Sequence, residues 1–591
     1  MKTRHLLPTA LLLGTSPVAA EMIAEPIVVT ATRIAQTVDA SLASVTVITR
    51  EEIERLQPAQ FSDLLRSRAG ISVADNGPFG KTSSVFMRGT NSNHTLLLVD
   101  GVRMGPATAG GPSWHYLPVS EIERIEIVRG PRASIYGADA IGGVVQVFTR
   151  QGSEGPVRFN AHTRIGEFNT REVGAGVRGG TAQTHYSLSA SHLESDGINV
   201  RPVGDDARDG YRNRSLSGRL VHRTGQGLEL FLSGLHSQGR SDYDDPGFDF
   251  AYNDFTHSAL TAGVRSPLWS RGWTELSYSH ATDQFDGTDS WPVRNETYRD
   301  QLNWRNEFSL SPSTVLSAGL EWQRERVSSS TDFDESRRSH RAGYGLIQTV
   351  HDRHNLLLAL RHDDNQAYGH HTTGQMAWGF DLTERLTSRL SWGSAFRAPN
   401  FVDRYVAWGG NPDLKPERSS TLEAGLRLTA DHYHLDATLY ETRVNDLIAW
   451  DGAQMNNVHR ARMRGVEVEG SLQSGPWQLR SSITLLEARN RVTGNELARR
   501  PREQLRLDLD RQLGAFSLGS TVTSQGRSFD DAGNATRLAG FTLVDLRATW
   551  QPAPQWRVRA TINNLFDRQY ETAGGFNQPG RAAYLSLHYQ Q

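Results

Sequence analysis

Few stretches of this sequence carry residue types that could do chemistry, and each fails as a catalytic constellation. Gly80-Lys81-Thr82 has the ending of a phosphate-binding loop. The first glycine of that motif would have to stand at position 75, where the chain has Asp75, so no nucleotide cradle forms. His370-His371 and the pair His351 and His354 offer imidazoles, but no fixed ligand spacing recurs around them, and loop or lumen positions suit them better. Neither His-Glu-x-x-His nor Gly-x-Ser-x-Gly occurs. With no cysteine at all, thiolate metal sites, cysteine nucleophiles and disulfide scaffolds are excluded. The chain does not read as an enzyme.

The elements that carry these residues belong to a protein that leaves the cytoplasm. Lys2 and Arg4 precede an apolar run from Leu6 to Leu13, and Val18-Ala19-Ala20 places small residues before Glu21. That order marks a cleavable secretory signal over residues 1–20. No later stretch approaches the roughly 20 consecutive apolar residues of a membrane helix. Hydrophobic residues make up 37% and mean hydropathy is −0.50, which excludes a bundle of such helices. Lys+Arg 63 against Asp+Glu 65 leaves a net charge of −2, so nucleic acid is not an expected partner.

Two unequal parts follow a short leader. In the leader, 21–33, Pro26 is followed by Ile27, Val28, Val29 and Thr30, a β-prone stretch with nothing of its own length to pair with nearby. Such a strand either forms an ordinary edge or adds to the sheet of another protein. Residues 34–152 read as a small α+β domain. Strands are expected at Ser44–Thr49, Val85–Arg88, Thr95–Val99 and Ile122–Val128, with a tight turn at Asp100-Gly101. Helical spacing runs from Arg50 to Leu65, with Thr49 as N-cap and Glu52 three residues on, as in a capping box.

From 153 to 591 short alternating stretches recur. Leu505, Leu507 and Leu509 alternate with Arg506, Asp508 and Asp510, and Trp556, Val558, Ala560 and Ile562 alternate with Arg557, Arg559 and Thr561. Charge on one face of nearly every strand suits a wide barrel, wet inside and lipid-coated outside. At roughly 10 residues per strand, about 20 to 22 strands fit this length. A barrel so wide leaks unless it is filled, and the preceding domain has the size to fill it.

Several motifs then occur in order. Pro26-Ile-Val-Val-Thr-Ala-Thr-Arg33 comes first. Phe86-Met-Arg-Gly-Thr-Asn91, Leu98-Val-Asp-Gly-Val-Arg103, Val128-Arg-Gly-Pro-Arg132 and Tyr136-Gly-Ala-Asp-Ala-Ile-Gly-Gly-Val-Val145 follow. Phe396-Arg-Ala-Pro-Asn400, Gly410-Asn-Pro-Asp-Leu-Lys-Pro-Glu417 and Asn564-Leu-Phe-Asp567 complete the series. The chain thereby resembles the TonB-dependent outer-membrane transporters, and within them the cobalamin-importing branch, to which Ser83-Ser84, Arg361-His-Asp-Asp-Asn365 and Asn457 to Glu467 are similar.

The resemblance implies a mainly β fold, a 22-stranded antiparallel transmembrane barrel with an N-terminal α+β plug in its lumen. It implies a monomer in the bacterial outer membrane that imports a corrinoid, with a siderophore or haem as the alternative cargo. A passive channel or adhesin is the alternative of another class. It implies that Pro26, Ile27, Val28, Val29, Thr30, Ala31 and Thr32 form the Ton box, which pairs with TonB, energised by ExbB–ExbD. Two plug loops, 76–84 and 105–114, would reach the ligand through Phe79, Ser83, Ser84, Pro106 and Trp114. The cobalamin branch also binds calcium in extracellular loops, and its acidic residues map onto Asp205, Asp206, Asp209, Asp242, Asp244, Asp245 and Asp254. Carboxylates so crowded repel one another without a cation, and Ca²⁺ prefers oxygen ligands. Arg88 and Arg129 are expected at the boundary of plug and wall, where a buried charge needs a partner.

Overall fold

The computed structural model describes residues 27–28, 36–201, 206–269 and 271–591. The signal segment, Asp205, and Pro26, Val29, Thr30, Ala31 and Thr32 of the leader lie outside the described residues. Twenty-two antiparallel strands close into one barrel, beginning at Gly155–Gly166 and ending at Ala582–Gln590. The seam pairs these two strands from Asn160 opposite Gln590 to Gly166 opposite Tyr584.

The alternation in the sequence becomes the two faces of the wall. Arg506, Asp508 and Asp510 are buried toward the lumen, while Leu509, Leu518 and Leu546 are exposed on the outside. The outer surface is apolar along its length, with exposed Phe159, Leu188, Leu260, Leu360 and Leu439 among many. Strand connections at one end are short, such as 312–313, 352–353 and 554–555, and at the other end long, such as 398–416 and 564–581. Short turns mark the periplasmic rim and long loops the extracellular one. Trp477, Trp550 and Trp556 stand at strand ends beside the short turns, as an interfacial girdle requires.

Inside the barrel lies a five-stranded sheet with strand order Val45–Thr49, Ile122–Arg129, Gly143–Thr149, Thr95–Val99 and Val102–Met104. Only the pairing of Thr95–Val99 with Gly143–Thr149 is parallel. Asp100 at φ 48 and Gly101 at φ 85 make the tight hairpin turn, a conformation that glycine adopts freely. Ile48, Ile53, Phe61, Leu65, Ile125 and Val147 form the core beneath the sheet.

Three expectations are corrected here. The helix read from Arg50 to Leu65 is two helices, Arg50–Leu56 and Phe61–Leu65. Gln57 turns left-handed at φ 50, and Pro58 has no N–H to continue the ladder. Thr49 does cap the first helix, accepting from the Glu52 N–H at 3.3 Å. The Glu52 carboxylate does not return to complete a capping box but accepts from Arg68 at 2.7 Å and pairs with Arg480 of the wall. The leader strand also has a short partner: Ile27 and Val28 lie opposite Thr37 and Gln36.

Candidate functional site

The plug is held at mid-height by arginine–carboxylate pairs. Arg88 sits at φ 52, where its strand ends, and its side chain leaves the plug sheet for the wall. Its Nε and Nη2 donate to Glu467 Oε1 and Oε2 at 2.8 and 2.9 Å, and its Nη1 lies 3.0 Å from Glu423 Oε1. Arg129 meets Glu469 at 3.1 Å and donates to Thr46 Oγ1 at 2.7 Å. Burial works against the Arg88 charge, but Glu423 and Glu467 outweigh it and hold the guanidinium more firmly protonated than in water. Burial likewise opposes ionisation of Glu52, yet Arg68, Arg480 and Arg55 together bring its carboxyl down to about 2. From the wall, Arg427 donates to Val38, Ser41 and Ala43 carbonyls of the plug at 2.7–3.0 Å, satisfying main-chain acceptors at the plug's edge.

The roof of the plug is fastened differently. Loop 76–82 crosses beneath the strands that lead to the extracellular loops. Gly80, at φ 79, has no room for a Cβ, which would lie 2.2 Å from the Tyr211 ring. Phe79, just before it, is at φ 45, disfavoured for a bulky residue, and its N–H donates to Gln60 Oε1 at 2.8 Å. It packs with Tyr116, Tyr211 and Phe255, and Tyr116 stacks on Phe255 at 3.8 Å between ring centroids. Loop 105–111 is strapped by the extracellular segment 400–402: Phe401 and Val402 N–H groups donate to Ala107 and Thr108 carbonyls at 3.1 and 3.0 Å. Asn400 donates to Ala109 O at 2.8 Å and caps the helix Phe401–Tyr405.

Of the ligand contacts expected on these loops, the structure leaves Ser84 and Pro106 half-buried. Phe79 is buried against the wall and Ser83 is buried within the plug, the Ser83 hydroxyl donating to Lys81 O at 3.3 Å. The Ser83 N–H faces His115 Nδ1 at 3.4 Å. Burial, with His257 and Lys81 nearby, pulls that imidazole down to about 3, so it stays a neutral acceptor. Trp114 is fully buried, stacked on Phe61 in the plug core, and presents no face to the outside. The broad apolar surface at the extracellular end comes instead from residues that the sequence reading passed over. Phe250, Trp291 and Trp408 are 82%, 85% and 61% exposed on loops at that rim. Single aromatics in loops of uncertain length carry no spacing signal.

Several of the acidic residues expected to hold calcium accept donors from neighbouring loops. Asp209 Oδ2 accepts the Val200 N–H at 2.7 Å and Asp244 Oδ2 the Arg201 N–H at 2.9 Å. Asp245 accepts the N–H groups of Gly247 and Ser290 at 3.0 and 2.8 Å, and Asp254 is in a two-pronged pair with Arg240 at 2.8 Å. Asp206 is exposed. Among the described residues no three His, Asp or Glu side chains are grouped to hold a metal ion.

A filled, charged barrel with a strapped roof is a transport architecture, and comparison with known proteins gives its family. Residues 155–565 match the family described as TonB dependent receptor-like, beta-barrel, and residues 37–144 match the TonB-dependent Receptor Plug Domain. The chain belongs to the TonB-dependent receptors. It is therefore a transporter of the outer membrane and not an enzyme, and it works with TonB on a transported ligand. It is 31% identical over 581 residues to the vitamin B12 transporter BtuB of Photobacterium profundum, covering 95% of each chain. To the vitamin B12 transporter BtuB of Vibrio vulnificus it is 30% identical, covering 96% of this chain and 95% of the other. Among solved structures it superposes on the siderophore receptor PirA of Acinetobacter baumannii with a TM-score of 0.80 at 21% identity, covering 93% of this chain and 98% of that one. A variant of the ferric enterobactin receptor PfeA of Pseudomonas aeruginosa gives 0.81 at 19% identity, covering 96% and 100%. At these identities the TonB-dependent receptor fold is what is shared.

Proposed function

We propose that this receptor imports cobalamin or a related corrinoid. The observation that carries the reading is the likeness, at 31% and 30% identity over nearly the whole chain, to two vitamin B12 transporters. The exposed aromatics Phe250, Trp291 and Trp408 supply flat apolar area, and the loops between them supply amides and hydroxyls. A large ring system with polar arms suits such a mixed surface. The ligand docks on the roof. Ile27 and Val28 then leave their pairing with Gln36 and Thr37 and add as a strand to TonB, which ExbB–ExbD drives with the proton gradient. The pull acts on the plug from below.

Equilibrium titration of the folded, detergent-purified receptor with cyanocobalamin tests the cargo. Saturable binding supports it; no binding to a barrel of folded electrophoretic mobility turns the reading to a siderophore or haem. Deleting residues 26–32 separates energised import from a passive channel. Uptake into cells is expected to vanish while binding in detergent stays unchanged; uptake that survives the deletion defeats the energised reading.

A further inference from the structure

Of the 63 basic side chains only three are lysines, Lys2, Lys81 and Lys415. Among the described residues most ion pairs between plug and wall use arginine, and two use histidine, His94 with Glu417 and His434 with Asp39. Lys81 is 4% exposed, and its Nζ has four oxygen neighbours: Asp209 O at 3.1 Å, Phe79 O and Gly210 O at 3.2 Å, and Ser241 Oγ at 3.3 Å. None of the four is a carboxylate oxygen. They come from three segments: the plug loop, the loop entering the strand Tyr211–Arg223, and the end of the strand Glu229–Asp242. Ser241 also donates to Gly80 O at 3.1 Å, so the same point ties the plug twice. A guanidinium spreads its donors over a planar fork, as Arg427 does over four carbonyls of the plug, whereas the compact ammonium of Lys81 brings its oxygens around a single nitrogen.

Around this point stand Asp209, Asp242 and Asp244, all close enough to stabilise the ammonium charge. Asp242 also sees Arg240 and Arg212. The carboxylates of Asp209 and Asp244 accept the Val200 and Arg201 N–H groups and also meet each other beside Lys81. Oxygen-only coordination by carbonyls and a hydroxyl is what a hard cation takes. Here a covalently attached cation has it. The described carboxylates of these segments already have a cation beside them in Lys81.

We propose that Lys81 is the built-in cation of the extracellular face, a tethered ammonium that closes the acidic segments bearing Asp209, Asp242 and Asp244 onto the plug without calcium. It is a positioning residue: it holds the roof against the loops. The proposal is independent of which ligand is carried.

The test uses no substrate. Asp209 N–H donates to Ile198 O and Asp242 N–H to Gly210 O, both at 2.9 Å, so exchange of these two amides reports whether the segments are closed. Hydrogen exchange on the whole receptor in detergent is followed with chelator and with millimolar calcium. The native protein is expected to exchange equally in both, and calorimetric titration with calcium chloride to show no stoichiometric uptake. Lys81→Met is expected to exchange both amides at least about tenfold faster in chelator, while its barrel keeps folded mobility. Lys81→Arg, which keeps the charge and loses the geometry, falls between. Calcium that slows exchange in the native protein, or that binds it stoichiometrically, overturns the proposal. So does unchanged exchange in Lys81→Met.

Discussion

At mid-height the plug meets the wall through Arg88 with Glu467 and Glu423, and through Arg129 with Glu469. At the roof it meets the wall through one ammonium on neutral oxygens, main-chain hydrogen bonds at Ala107 and Thr108, and the ring stack of Tyr116 on Phe255. The difference is one of what is left behind on opening. Parting a buried guanidinium from its carboxylates strands charges of both signs. Parting a carbonyl from an N–H at the rim lets water take the place of each, for a net loss of about 1 kcal/mol per bond. Phe79, held at φ 45, adds ~1–3 kcal/mol of strain that opening releases. The roof is thus the part a docking ligand can rearrange, and the middle is the part that only a pull undoes.

Arg88→Met tests the middle most severely. It leaves Glu423 without this ion pair and Glu467 with Arg129 alone, at 3.4 Å, and is expected to destabilise the plug by about 3 kcal/mol. Amide exchange in the sheet strand Gly143–Thr149 reads this directly; exchange as slow as in the native receptor contradicts the assigned role. Adding Glu467→Gln and Glu423→Gln should restore part of the loss, because the stranded charges go with them.

Acid loosens the same region by a smaller and graded amount. The Glu52 carboxyl is depressed from 4.5 to about 2, so its contribution is fully present above pH 4.5 and is lost as pH falls toward 2. The chain has no cysteine, so a fluorophore on Glu51→Cys, an exposed neighbour, reports the helix alone. Its signal should hold from neutral pH to 4.5 and change below. In a Glu52→Gln background that acid step should disappear, and a step that persists assigns it elsewhere.

Asn400→Ala at the roof is expected to do least. It removes one cap and one bond to Ala109 O, about 1 kcal/mol. Exchange should quicken at the amides of Phe401 and Val402, and nothing should change in the sheet. A response that spreads to Gly143–Thr149 merges the two regions and ends the distinction.

The wall was legible because alternation is local. Leu509 beside Asp508 and Asp510 announces its two faces with no other strand in view. Arg88 and Arg129 were legible as boundary residues from their motifs, though not their partners, which lie hundreds of residues on. Pro58 was present in the sequence as the signal for the helix break, and helical spacing overrode it. The capping box failed for a non-local reason: Glu52 is taken by Arg480, from a strand far along the chain. The roof was least legible. Whether Phe79 faces a ligand or Tyr211, and whether Trp114 lies in a loop or a core, depends on walls that assemble from distant strands. Lys81 gathers two such wall segments onto its own loop, and only its rarity as a lysine could have drawn notice.

The seam has a consequence for how this protein is made. Residues 160–166 pair on one edge with 170–176, but on the other edge only with 584–590. The first strand therefore has one raw edge for as long as synthesis and export last. Barrel closure is the last contact formed and the most distant in sequence, which makes assembly slow and exposes every intermediate to edge-to-edge aggregation. A mean hydropathy of −0.50 keeps such a chain soluble on its way through the periplasm. Alternation withholds the lipid-facing surface until the strands are paired, so that a membrane protein can travel as a polar one.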